Sequence, residues 1–502
     1  MMKTEKGSGL IAILLCMLTV VVTAACTNDD DFVASSANRV AFSADTIRFD
    51  TVFANVPSTT RSVWVYNHSK ENIRFQNVST GRASQTGFRV NVDGIYLGAE
   101  NNYQSGDIEL RKDDSLRVFV ELTAPRAASD TPTLTEDDLI FTLGDGAAQK
   151  IHLNAYTWNA IMARNMVVSR DTTINSQGRP LVIYGGIRVD SAATLKIAAG
   201  QTLYFHGDAG MDVYGTLIAQ GNDHQPITLR GDRIDRMFDY LPYDRVPGQW
   251  KGVHIHTSSY GNQFEYTDIH SAFDGVVLDS SDVNKLKLTA SQMTIHNCQG
   301  TGLKTTNCNI VLSNAQITNT LGDCVEVDGG IVEINNSTLA QFYPFDGNRG
   351  YALHFSANHP LTKLNVTNSL ITGYADDLIS GERPKDEAKP FNFDFEDCVL
   401  RTPKPTTADS VYFKNIIYEN VKDTTKYGEK NFMKIDADKQ YYDFHLNKVS
   451  AAVDKANAKT AQPIDRDGVK RDELPDIGAY EYRKEGSNCV SSLAKDTHAL
   501  YP

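Results

Sequence analysis

The feature that most constrains this chain is an internal repeat in its central part. Six aligned segments end on an apolar residue, and these residues lie 26, 22, 22, 32 and 29 positions apart: Ile269, Ile295, Ile317, Leu339, Ile371 and Leu400. A period in the low twenties with alternating apolar residues predicts short β-strands stacked as the coils of a solenoid. The longer spacings indicate loops inserted between some of the coils.

Alternation within the repeats predicts which side chains point inward. Two inward stacks are expected, formed by Ile310, Val332 and Leu364 and by Leu312, Ile334 and Val366. The fifth aligned column is polar, and it contains Gln292, Asn314, Asn336, Asn368 and Asp397. Stacked asparagines at a turn can hydrogen-bond to one another and to the backbone. The column therefore predicts an asparagine ladder, with Asn314, Asn336 and Asn368 above one another.

Short strand-like segments continue upstream from Leu181, and Gly248-Gln-Trp-Lys-Gly-Val-His-Ile255 opens the clearest coils. Together with the repeat, these segments resemble the right-handed parallel β-helix proteins of the pectate-lyase-like superfamily, over about residues 168–417. The resemblance implies a single-stranded right-handed parallel β-helix, which we assign to residues 165–425. It implies little about activity, because this fold carries many functions.

Residues 39–160 show a different pattern, with short alternating strands between turn residues. Ser62-Val-Trp-Val-Tyr66 and Leu116-Arg-Val-Phe-Val-Glu-Leu122 are examples. Such strands at near-regular spacing predict an antiparallel β-sandwich. Their order resembles the immunoglobulin-like domains of the abnormal-spindle/Hydin type, which act as spacers or interaction modules. The predicted fold class is thus all-β, with an Ig-like sandwich before the β-helix and a cap after it.

The N-terminus is typical of an exported protein. Lys3 and Lys6 precede a short apolar run, and small residues follow it, as in a secretory signal peptide at residues 1–25. Thr23-Ala-Ala-Cys26 resembles a lipobox, which implies lipidation of Cys26; plain secretion is the alternative. Residues 26–38 form an acidic tether that resembles the surface-export signal of Bacteroidetes lipoproteins. The expected location is the outer membrane, by a lipid anchor and facing the cell exterior.

The C-terminal part carries a second resemblance. Pro463-Ile-Asp-Arg-Asp-Gly and Pro475-Asp-Ile-Gly-Ala-Tyr-Glu-Tyr482 are similar to the terminal segment of many bacterial extracellular β-helices, with its Asp-x-Gly-Ala-x-Glu ending. We assign residues 426–485 to a capping segment and residues 486–502 to a tail. Asp465 and Asp467 are candidate Ca²⁺ ligands, and the alternative is a structural role in the cap. No other cofactor is predicted.

Composition excludes one class of partner. The 502 residues include 49 Lys+Arg and 62 Asp+Glu, with a net charge of −13. Nucleic-acid binding depends on clustered Lys and Arg, so this balance argues against it. The expected partners are extracellular polysaccharide or cell-surface proteins.

Candidate catalytic residues are few. Polygalacturonase-like hydrolases use paired carboxylates that admit a water molecule. Asp323, Asp376 and Asp377 occupy equivalent places in their coils and are the candidates. The Gly-His-Gly and Arg-Ile-Lys elements of that family are absent, and Asp376 and Asp377 also have the character of turn residues.

Candidate binding residues lie on one face and in one loop. Alternation puts Glu333, Asp394 and Glu396 outward, with no Arg or Lys in a matching column. An inserted loop rich in aromatic and acidic residues is the preferred ligand-binding segment. The loop and coil candidates are Tyr240, Tyr243, Asp244, Arg245 and Trp250. His254 and His256 point outward together, but no third metal ligand is evident in the sequence.

Two functions follow as hypotheses. The first is a cell-surface lipoprotein that binds or displays toward extracellular polysaccharide and does not catalyse a reaction. The second is a polysaccharide lyase or glycoside hydrolase acting on an acidic glycan, with a site assembled from loops. The incomplete catalytic set favours the first.

Overall fold

The computed structural model describes residues 32–33, 38–106, 108–238, 240–422 and 428–483. The chain divides into two compact units: Met1–Phe49, Asn55–Pro125 and Leu134–Ala155 form the first, and Asp50–Ala54, Arg126–Thr133 and Tyr156–Pro502 form the second. Helices in the described part are short 3₁₀ turns, at Ala83–Gln85, Ala99–Asn101, Tyr243–Arg245, Ala408–Tyr412 and Glu429–Asn431. No helix among these residues is long and apolar enough to cross a membrane.

The first twelve strands form two sheets. They are β1 (Phe32–Val33), β2 (Ala41–Phe42), β3 (Thr46–Phe53), β4 (Arg61–Tyr66), β5 (Asn72–Thr80), β6 (Phe88–Val92), β7 (Ile95–Leu97), β8 (Gln104–Ser105), β9 (Ile108–Leu110), β10 (Ser115–Leu122), β11 (Thr133–Leu143) and β12 (Ala148–Trp158). One sheet has the order β1-β5-β11-β12-β3, with β8 and β9 also on β5, and the other has the order β2-β4-β10-β6-β7. Val63 and Val65 of β4 are buried while Ser62 and Trp64 are exposed, as the predicted alternation requires. These antiparallel sheets fit an Ig-like sandwich.

The second unit contains a sheet of 25 strands. Its strands are β13 (Ile161–Val168), β14 (Thr172–Ile174), β15 (Leu181–Val189), β16 (Thr194–Ile197), β17 (Thr202–Phe205), β18 (Met211–Val213), β19 (Thr216–Gln220), β20 (Ile227–Gly231), β23 (Val253–Ile255), β24 (Asn262–Glu265), β25 (Thr267–His270), β26 (Val276–Leu278), β27 (Leu288–Ser291), β28 (Thr294–Cys298), β29 (Leu303–Ser313), β30 (Gln316–Thr320), β31 (Val325–Asn335), β32 (Thr338–Gln341), β33 (Leu353–Thr367), β34 (Leu370–Gly373), β35 (Ile379–Glu382), β36 (Phe391–Glu396), β37 (Val399–Leu400), β38 (Phe413–Lys414) and β39 (Ile417–Tyr418). Two hairpins lie outside it: β21 (Arg236–Phe238) with β22 (Leu241–Pro242), and β40 (Phe432–Asp436) with β41 (Tyr441–Leu446).

Strands of successive coils pair in parallel and form three faces. The first face contains β18, β23, β26, β35 and the first halves of β29, β31 and β33. The second contains β16, β19, β24, β27, β36 and the second halves of the same long strands. The third contains β17, β20, β25, β28, β30, β32, β34 and β37. This arrangement confirms the predicted parallel β-helix.

The inward stacks lie where alternation predicts them. Ile310 pairs with Val332, and Val332 pairs with Leu364, in three successive coils. Leu312, Ile334 and Val366 repeat this pattern two residues later. All six side chains are buried in one continuous apolar core. Apolar burial of this kind contributes about 25 cal/mol for each Å² removed from water, so the stacks hold the coils together.

The polar column forms the corner between the second and third faces. Each of its residues has a positive φ: Gln292 (49°), Asn314 (48°), Asn336 (45°), Asn368 (46°) and Asp397 (55°). Asparagine and aspartate tolerate this left-handed conformation better than most residues, since their short polar side chains can hydrogen-bond locally. The backbone N–H of each then reaches the next coil; Asn336 N–H, for example, donates to Thr367 O at 3.2 Å. Backbone geometry therefore explains the recurrence of asparagine at this corner.

The ladder amides differ from the prediction in their partners. Asn336 accepts a hydrogen bond from Gln462 N–H (2.8 Å) and donates one to Asp476 O (3.2 Å). Asn314 donates to Ile464 O (2.9 Å). Asn368, likewise, accepts from a C-terminal backbone N–H, that of Asn457. The expected bonds between stacked amides are thus replaced by bonds to the C-terminal segment, whose backbone groups would otherwise be buried without partners.

The C-terminal segment therefore covers the side of the β-helix. The sequence, by contrast, predicts that this segment caps the last coil. Phe432, Phe444 and Ile477 pack against Leu370 and Val399 on the outer side of the third face. Strands β30, β32 and β34 are consequently buried throughout their length. A sheet covered on both sides needs near-continuous burial, in contrast to the alternating strands of the second face.

Candidate functional site

A polar cleft lies between the third face and the C-terminal segment. Its volume is about 280 Å³. Its walls are Arg245, Asp268, Thr294, His296, Asn297, Gln316, Thr318, Asn319, Gln440, Tyr441, Tyr442, Asp443, Phe444, His445, Arg466, Asp467 and Tyr480. Concave sites that combine aromatic side chains with a few convergent polar groups are the usual places where proteins bind small ligands. The cleft is therefore the candidate functional site.

A buried histidine supports the coil side of the cleft. His270 in β25 donates from Nδ1 to Asp268 (2.6 Å) and from Nε2 to Asp244 (2.7 Å). Burial alone would lower its pKa, but the charges and hydrogen bonds of the two carboxylates raise the pKa of His270 to about 9. Burial likewise opposes ionisation of Asp268, yet His270 and His296 hold its pKa well below the usual range. The group is a fixed cation between fixed anions at neutral pH.

His296 joins this group from the next coil. It pairs with His270 in the parallel register, and the two rings stack with centroids 4.7 Å apart. Its Nε2 lies 3.4 Å from Asp268. His296 lines the cleft, while His270 lies behind it. The stack therefore presents one histidine to a ligand and supports it with a buried charge network.

A second histidine supports the opposite wall. His445 in β41 donates from Nδ1 to Asp443 (2.5 Å) and from Nε2 to Asp467 (2.9 Å). Burial would lower its pKa, but these hydrogen bonds and charges raise the pKa of His445 to about 9. Despite burial, the same contacts lower the pKa of Asp443 and Asp467. The Tyr480 ring packs on His445 with centroids 4.3 Å apart.

Three side chains of the cleft carry polar atoms without a hydrogen-bond partner among the residues that the structure describes. They are Arg466 Nη1, the Tyr442 hydroxyl and Asn319 Oδ1. Arg466 is only 3% exposed, and its Nε donates to Thr294 (2.9 Å). A buried polar group without a partner costs about 1–3 kcal/mol, and more if it is charged. A bound ligand that supplies acceptors would remove this cost.

The inserted loop contributes to the cleft through its last residues. Arg245 lines the cleft, donates to Lys439 O (2.9 Å) and lies over the Tyr441 ring. Asp244 lies behind the wall, where Arg230 (2.6 Å) and His270 bind it. Of the predicted loop residues, Arg245 thus lies in the cleft wall, and Asp244 lies in the charge network behind it.

The other aromatic candidates lie outside the cleft walls. Tyr240 is 57% exposed and stacks on Phe238. Tyr243 packs its ring under the Arg233 guanidinium, 4.2 Å from the centroid.

Trp250 is a correction to the predicted binding set. Its ring is 1% exposed and stacks on Phe205 with centroids 4.3 Å apart. Its indole N–H donates to His270 O (2.8 Å). Neither face of the indole is therefore available to a sugar, because the coil that Trp250 opens turns the indole ring into the core.

The catalytic candidates occupy equivalent positions but lie in coils that are not adjacent. Val325 pairs with Leu353 and Leu353 with Ile379, so one coil separates Asp323 from Asp377, about 10 Å at the usual strand spacing. Asp323 binds His354 Nδ1 (2.9 Å), and Asp377 accepts from Thr402 (2.6 Å).

Asp376 is largely exposed and lies 3.4 Å from Arg401. None of the three catalytic candidates, Asp323, Asp376 and Asp377, lines the cleft.

The acidic face carries cations that alternation alone did not indicate. Glu333 binds Lys363 Nζ (2.5 Å), and Asp394 binds Lys414 Nζ (2.8 Å). Lys414 also pairs with Glu396 in the strand register. The face of Glu333, Asp394 and Glu396 is thus partly neutralised by lysines of neighbouring coils, Lys363 in β33 and Lys414 in β38.

The candidate Ca²⁺ ligands take part in the C-terminal segment. Asp465 accepts hydrogen bonds from the backbone N–H groups of Asp467, Val469 and Glu481. Asp467 binds His445 and Arg483. Asp467 lines the cleft and Asp465 organises the turn behind it. Cys26, the predicted lipidation site, lies outside the described residues.

Among the described residues, two groups of His and Asp have the composition of a metal site. They are Asp212, His254 and His256 on the first face and Asp268, His270 and His296 beside the cleft; within each group, one ligand atom per residue lies within 4.8 Å of the others.

Sequence reasoning missed the cleft histidines, although a signal existed. His270 and His296 each follow the last apolar residue of consecutive repeats, Ile269 and Ile295. Equivalent positions in stacked coils lie above one another, so the two histidines had to meet. Arg466, Tyr442 and His445 gave no such signal, since their position depends on how the C-terminal segment folds back.

Comparison with known proteins gives no family. No protein-family model and no curated protein matches the chain. Solved structures with partial similarity include a family 123 glycoside hydrolase from Clostridium perfringens (6% identity, 27% of this chain and 30% of that chain, TM-score 0.19). Others are the ASH/PapD-like domain of human CEP192 (12%, 27% and 94%, TM-score 0.17) and BcpA, the major pilin subunit of Bacillus cereus (12%, 28% and 45%, TM-score 0.15). These similarities are too small to carry a functional argument. The fold and the cleft define the class: an all-β protein with a parallel β-helix and a polar lateral cleft.

Proposed function

We propose that this protein is a lipid-anchored cell-surface β-helix protein that binds acidic polysaccharide in the lateral cleft and does not catalyse its breakdown. The observation that carries the proposal is Arg466, a buried guanidinium on the cleft wall whose Nη1 has no partner in the described part of the chain. A carboxylate is the acceptor that best matches a guanidinium. Acidic polysaccharides offer one on each uronate residue.

The charges around the cleft support an anionic ligand. Its carboxylates, Asp268, Asp443 and Asp467, are each bound by a histidine. By contrast, Arg245 and Arg466 line the cleft without a salt bridge to a carboxylate of the described residues, although the charge of Arg466 helps to lower the pKa of Asp467. The two arginines are therefore the cations of the cleft wall that an anionic ligand would meet.

The size and shape of the cleft support a sugar chain. About 280 Å³ is slightly below the usual range of small-ligand pockets, which suits one or two sugar residues of a longer chain. Tyr441 is part of the wall and is 40% exposed, so the face of its ring that Arg245 does not cover offers a platform for the apolar face of a sugar. The unpartnered Tyr442 hydroxyl and Asn319 Oδ1 supply a donor and an acceptor for sugar hydroxyls.

The state of the carboxylates argues against glycoside hydrolysis. That reaction needs one carboxylic acid whose pKa is raised so that it is protonated near neutral pH. In the cleft, the pKa of Asp268, Asp443 and Asp467 is lowered in each case, with histidine contacts outweighing burial. No cleft carboxylate is thus suited to donate a proton to a leaving sugar.

Titration calorimetry of the purified full chain tests the binding proposal. The ligands are polygalacturonate and alginate as acidic chains and dextran as the neutral chain. Acidic chains should bind and dextran should not. Arg466→Gln and Arg245→Gln should each weaken binding about tenfold or more, because each removes a cation from the cleft. Arg383→Gln, which alters an exposed arginine paired with Asp409, is the matched control and should leave binding unchanged.

Since Arg466 is buried, its variant is checked by thermal unfolding; Arg245→Gln keeps the test valid if Arg466→Gln does not fold. Equal affinity of wild type and Arg245→Gln for both acidic chains, or a preference for dextran, would contradict the proposal.

The second candidate function is a polysaccharide lyase. The observation that favours it is His296, which lines the cleft and contacts Asp268, as a general base supported by a carboxylate would. Incubation of the chain with the same polysaccharides distinguishes the two functions. A lyase would release unsaturated products or new reducing ends, and His296→Ala would release none. That result would show that the protein is a catalyst and would contradict the binding proposal.

A further inference from the structure

A second polar group lies on the first face of the β-helix, away from the cleft. Asp212 in β18 pairs with His254 of β23 in the next coil, so their side chains are neighbours on the outer surface. His256 follows two residues after His254. Asp279 follows β26, one coil further along. The parallel register therefore brings four potential metal ligands together from three coils.

The distances within this group are short. His256 Nε2 lies 2.9 Å from Asp212 Oδ1, and His256 Nδ1 lies 3.2 Å from Asp279 Oδ2. His254 Nε2 lies 2.8 Å from the other oxygen of Asp279. The two imidazole rings have centroids 4.0 Å apart, and Tyr214 stacks flat on His256, also at 4.0 Å. The rings are thus held in place by packing as well as by polar contacts.

A neutral His256 ring has too few N–H groups for its two carboxylate neighbours. A neutral imidazole has one N–H donor and one lone pair. Both nitrogens of His256 face carboxylate oxygens, so in the neutral ring one nitrogen lone pair would face an oxygen lone pair. A second proton on the ring removes this conflict, as at His270 and His445, and a divalent cation between Nε2 and Asp212 removes it as well. Nδ1 then donates its proton to Asp279, the usual arrangement of a metal-binding histidine and its supporting carboxylate.

We propose that Asp212, His254 and His256 bind a divalent transition-metal ion, with Zn²⁺ as the reference ion, and that Asp279 orients the two histidines. One ligand atom from each of the three residues lies within 4.8 Å of the other two. Tetrahedral Zn²⁺ with bonds of about 2.0–2.2 Å places its ligands about 3.3 Å apart, so small side-chain rotations close the site. Nitrogen and carboxylate donors suit Zn²⁺, and three protein ligands leave one position for water.

The second His and Asp group is a poorer metal site. His270 is buried between Asp244 and Asp268, and it donates a proton to each. Arg230 adds a positive charge 2.6 Å from Asp244. A metal ion there would have to displace a proton from a histidine that is only 5% exposed, beside an arginine that already pairs with Asp244. On the first face, Asp212, His254 and His256 are accessible to solvent.

Titration of the metal-free full chain with ZnCl₂, followed by calorimetry, tests the proposal. Wild type should bind one Zn²⁺ at this site. His256→Ala should weaken binding at least a hundredfold, and Asp212→Asn at least tenfold. Asp279→Asn should weaken it about 10–100-fold, as loss of a supporting carboxylate does. His359→Ala is the matched control, since His359 is a surface histidine on the same β-helix with a single carboxylate partner, Asp328 (2.9 Å).

Two further measurements make the result decisive. Thermal unfolding without metal should show that the surface variants fold as wild type does. Arg245→Gln should keep the wild-type Zn²⁺ affinity, which separates this site from the glycan cleft. Unchanged Zn²⁺ binding in His256→Ala, or loss of binding in His296→Ala alone, would overturn the proposal.

Discussion

Two histidines of the cleft region, His270 and His445, each lie between two carboxylates. This arrangement is costly to desolvate but is satisfied by two charged hydrogen bonds per ring. Its consequence is that neither histidine acts as a proton switch near neutral pH, in contrast to an exposed histidine with an ordinary pKa. At the scale of the residue, His270 and His445, together with Arg230 and Arg483, balance the carboxylates of the cleft region.

The raised pKa of His270 predicts a pH dependence of stability. Its pKa is about 9 in the folded protein and about 6.5 in the unfolded chain. The stabilisation is therefore complete below about pH 6.5 and is lost as pH rises through about 9. Linkage puts the loss at a few kcal/mol for a buried group. Chemical unfolding between pH 6.5 and 9.5 should show a falling free energy of unfolding.

His270→Gln is the variant that isolates this effect. It should be less stable at pH 6.5 and should show a flatter decline toward pH 9.5, with the remaining slope due to His445. His224→Gln, at a highly exposed histidine, is the control and should keep the wild-type slope. A wild-type slope in His270→Gln would contradict the assigned charge.

At the scale of the element, the corner between the second and third faces has two structural roles. Its left-handed backbone turns each coil, and its amides bind the C-terminal segment. The second role explains why Asn314, Asn336 and Asn368 are buried even though they lie on the outside of the solenoid. A position that required only a positive φ would be satisfied by glycine.

Substitutions of Asn336 separate the two roles. Asn336→Gly keeps the positive φ and loses the hydrogen bonds to Gln462 and Asp476, so we expect a cost of about 1–3 kcal/mol. Asn336→Leu also places a residue with a branched side chain in the left-handed region, which adds about 1–2 kcal/mol. Asn336→Asp keeps the acceptor and should be mildest. Free energies of unfolding from urea titration give the order; Leu equal to Gly would show that the backbone conformation has no cost here.

At the scale of the whole molecule, the proposed function joins two units to a membrane anchor. The first unit fits an Ig-like sandwich, which suits a spacer between an anchor and a binding domain. The β-helix supplies the cleft and the proposed metal site on different faces. Anchoring at Cys26 would hold both sites outside the cell.

The anchoring proposal makes a direct prediction. Cys26→Ala should release the protein from the membrane fraction, because the thiol is the predicted point of lipid attachment. Cys398→Ala, at a buried thiol of the β-helix, is the control and should stay with the membrane. Fractionation followed by immunoblotting measures both variants; Cys26→Ala that remains in the outer membrane and still carries lipid would exclude this anchor.

Much of the fold could be predicted, and much of the site could not. The inward stacks, the equivalence of Asp323 and Asp377 and the outward direction of His254 and His256 followed from register alone. For Trp250 the sequence leaves sugar stacking and core packing as alternatives, because a single aromatic residue at a coil entry carries no periodic signal; the structure shows core packing. The alternation does not indicate Lys363 and Lys414 as partners of the acidic face, because Lys363 lies two residues before the register partner of Glu333 and Lys414 belongs to a later coil.

By itself, the sequence determined the class of fold, because a repeat in the low twenties with apolar residues at every second position buries its core only by stacking coils. It also determined the polar corner, since the same residue types recur at one position of each repeat. Only the tertiary structure decided the sites. Arg466 meets Thr294 across 172 positions of the chain, and Asp279 supports His254 and His256 from a neighbouring coil. Contacts of this kind depend on where a non-repeating segment packs and on how coils are aligned, and neither is encoded in local spacing.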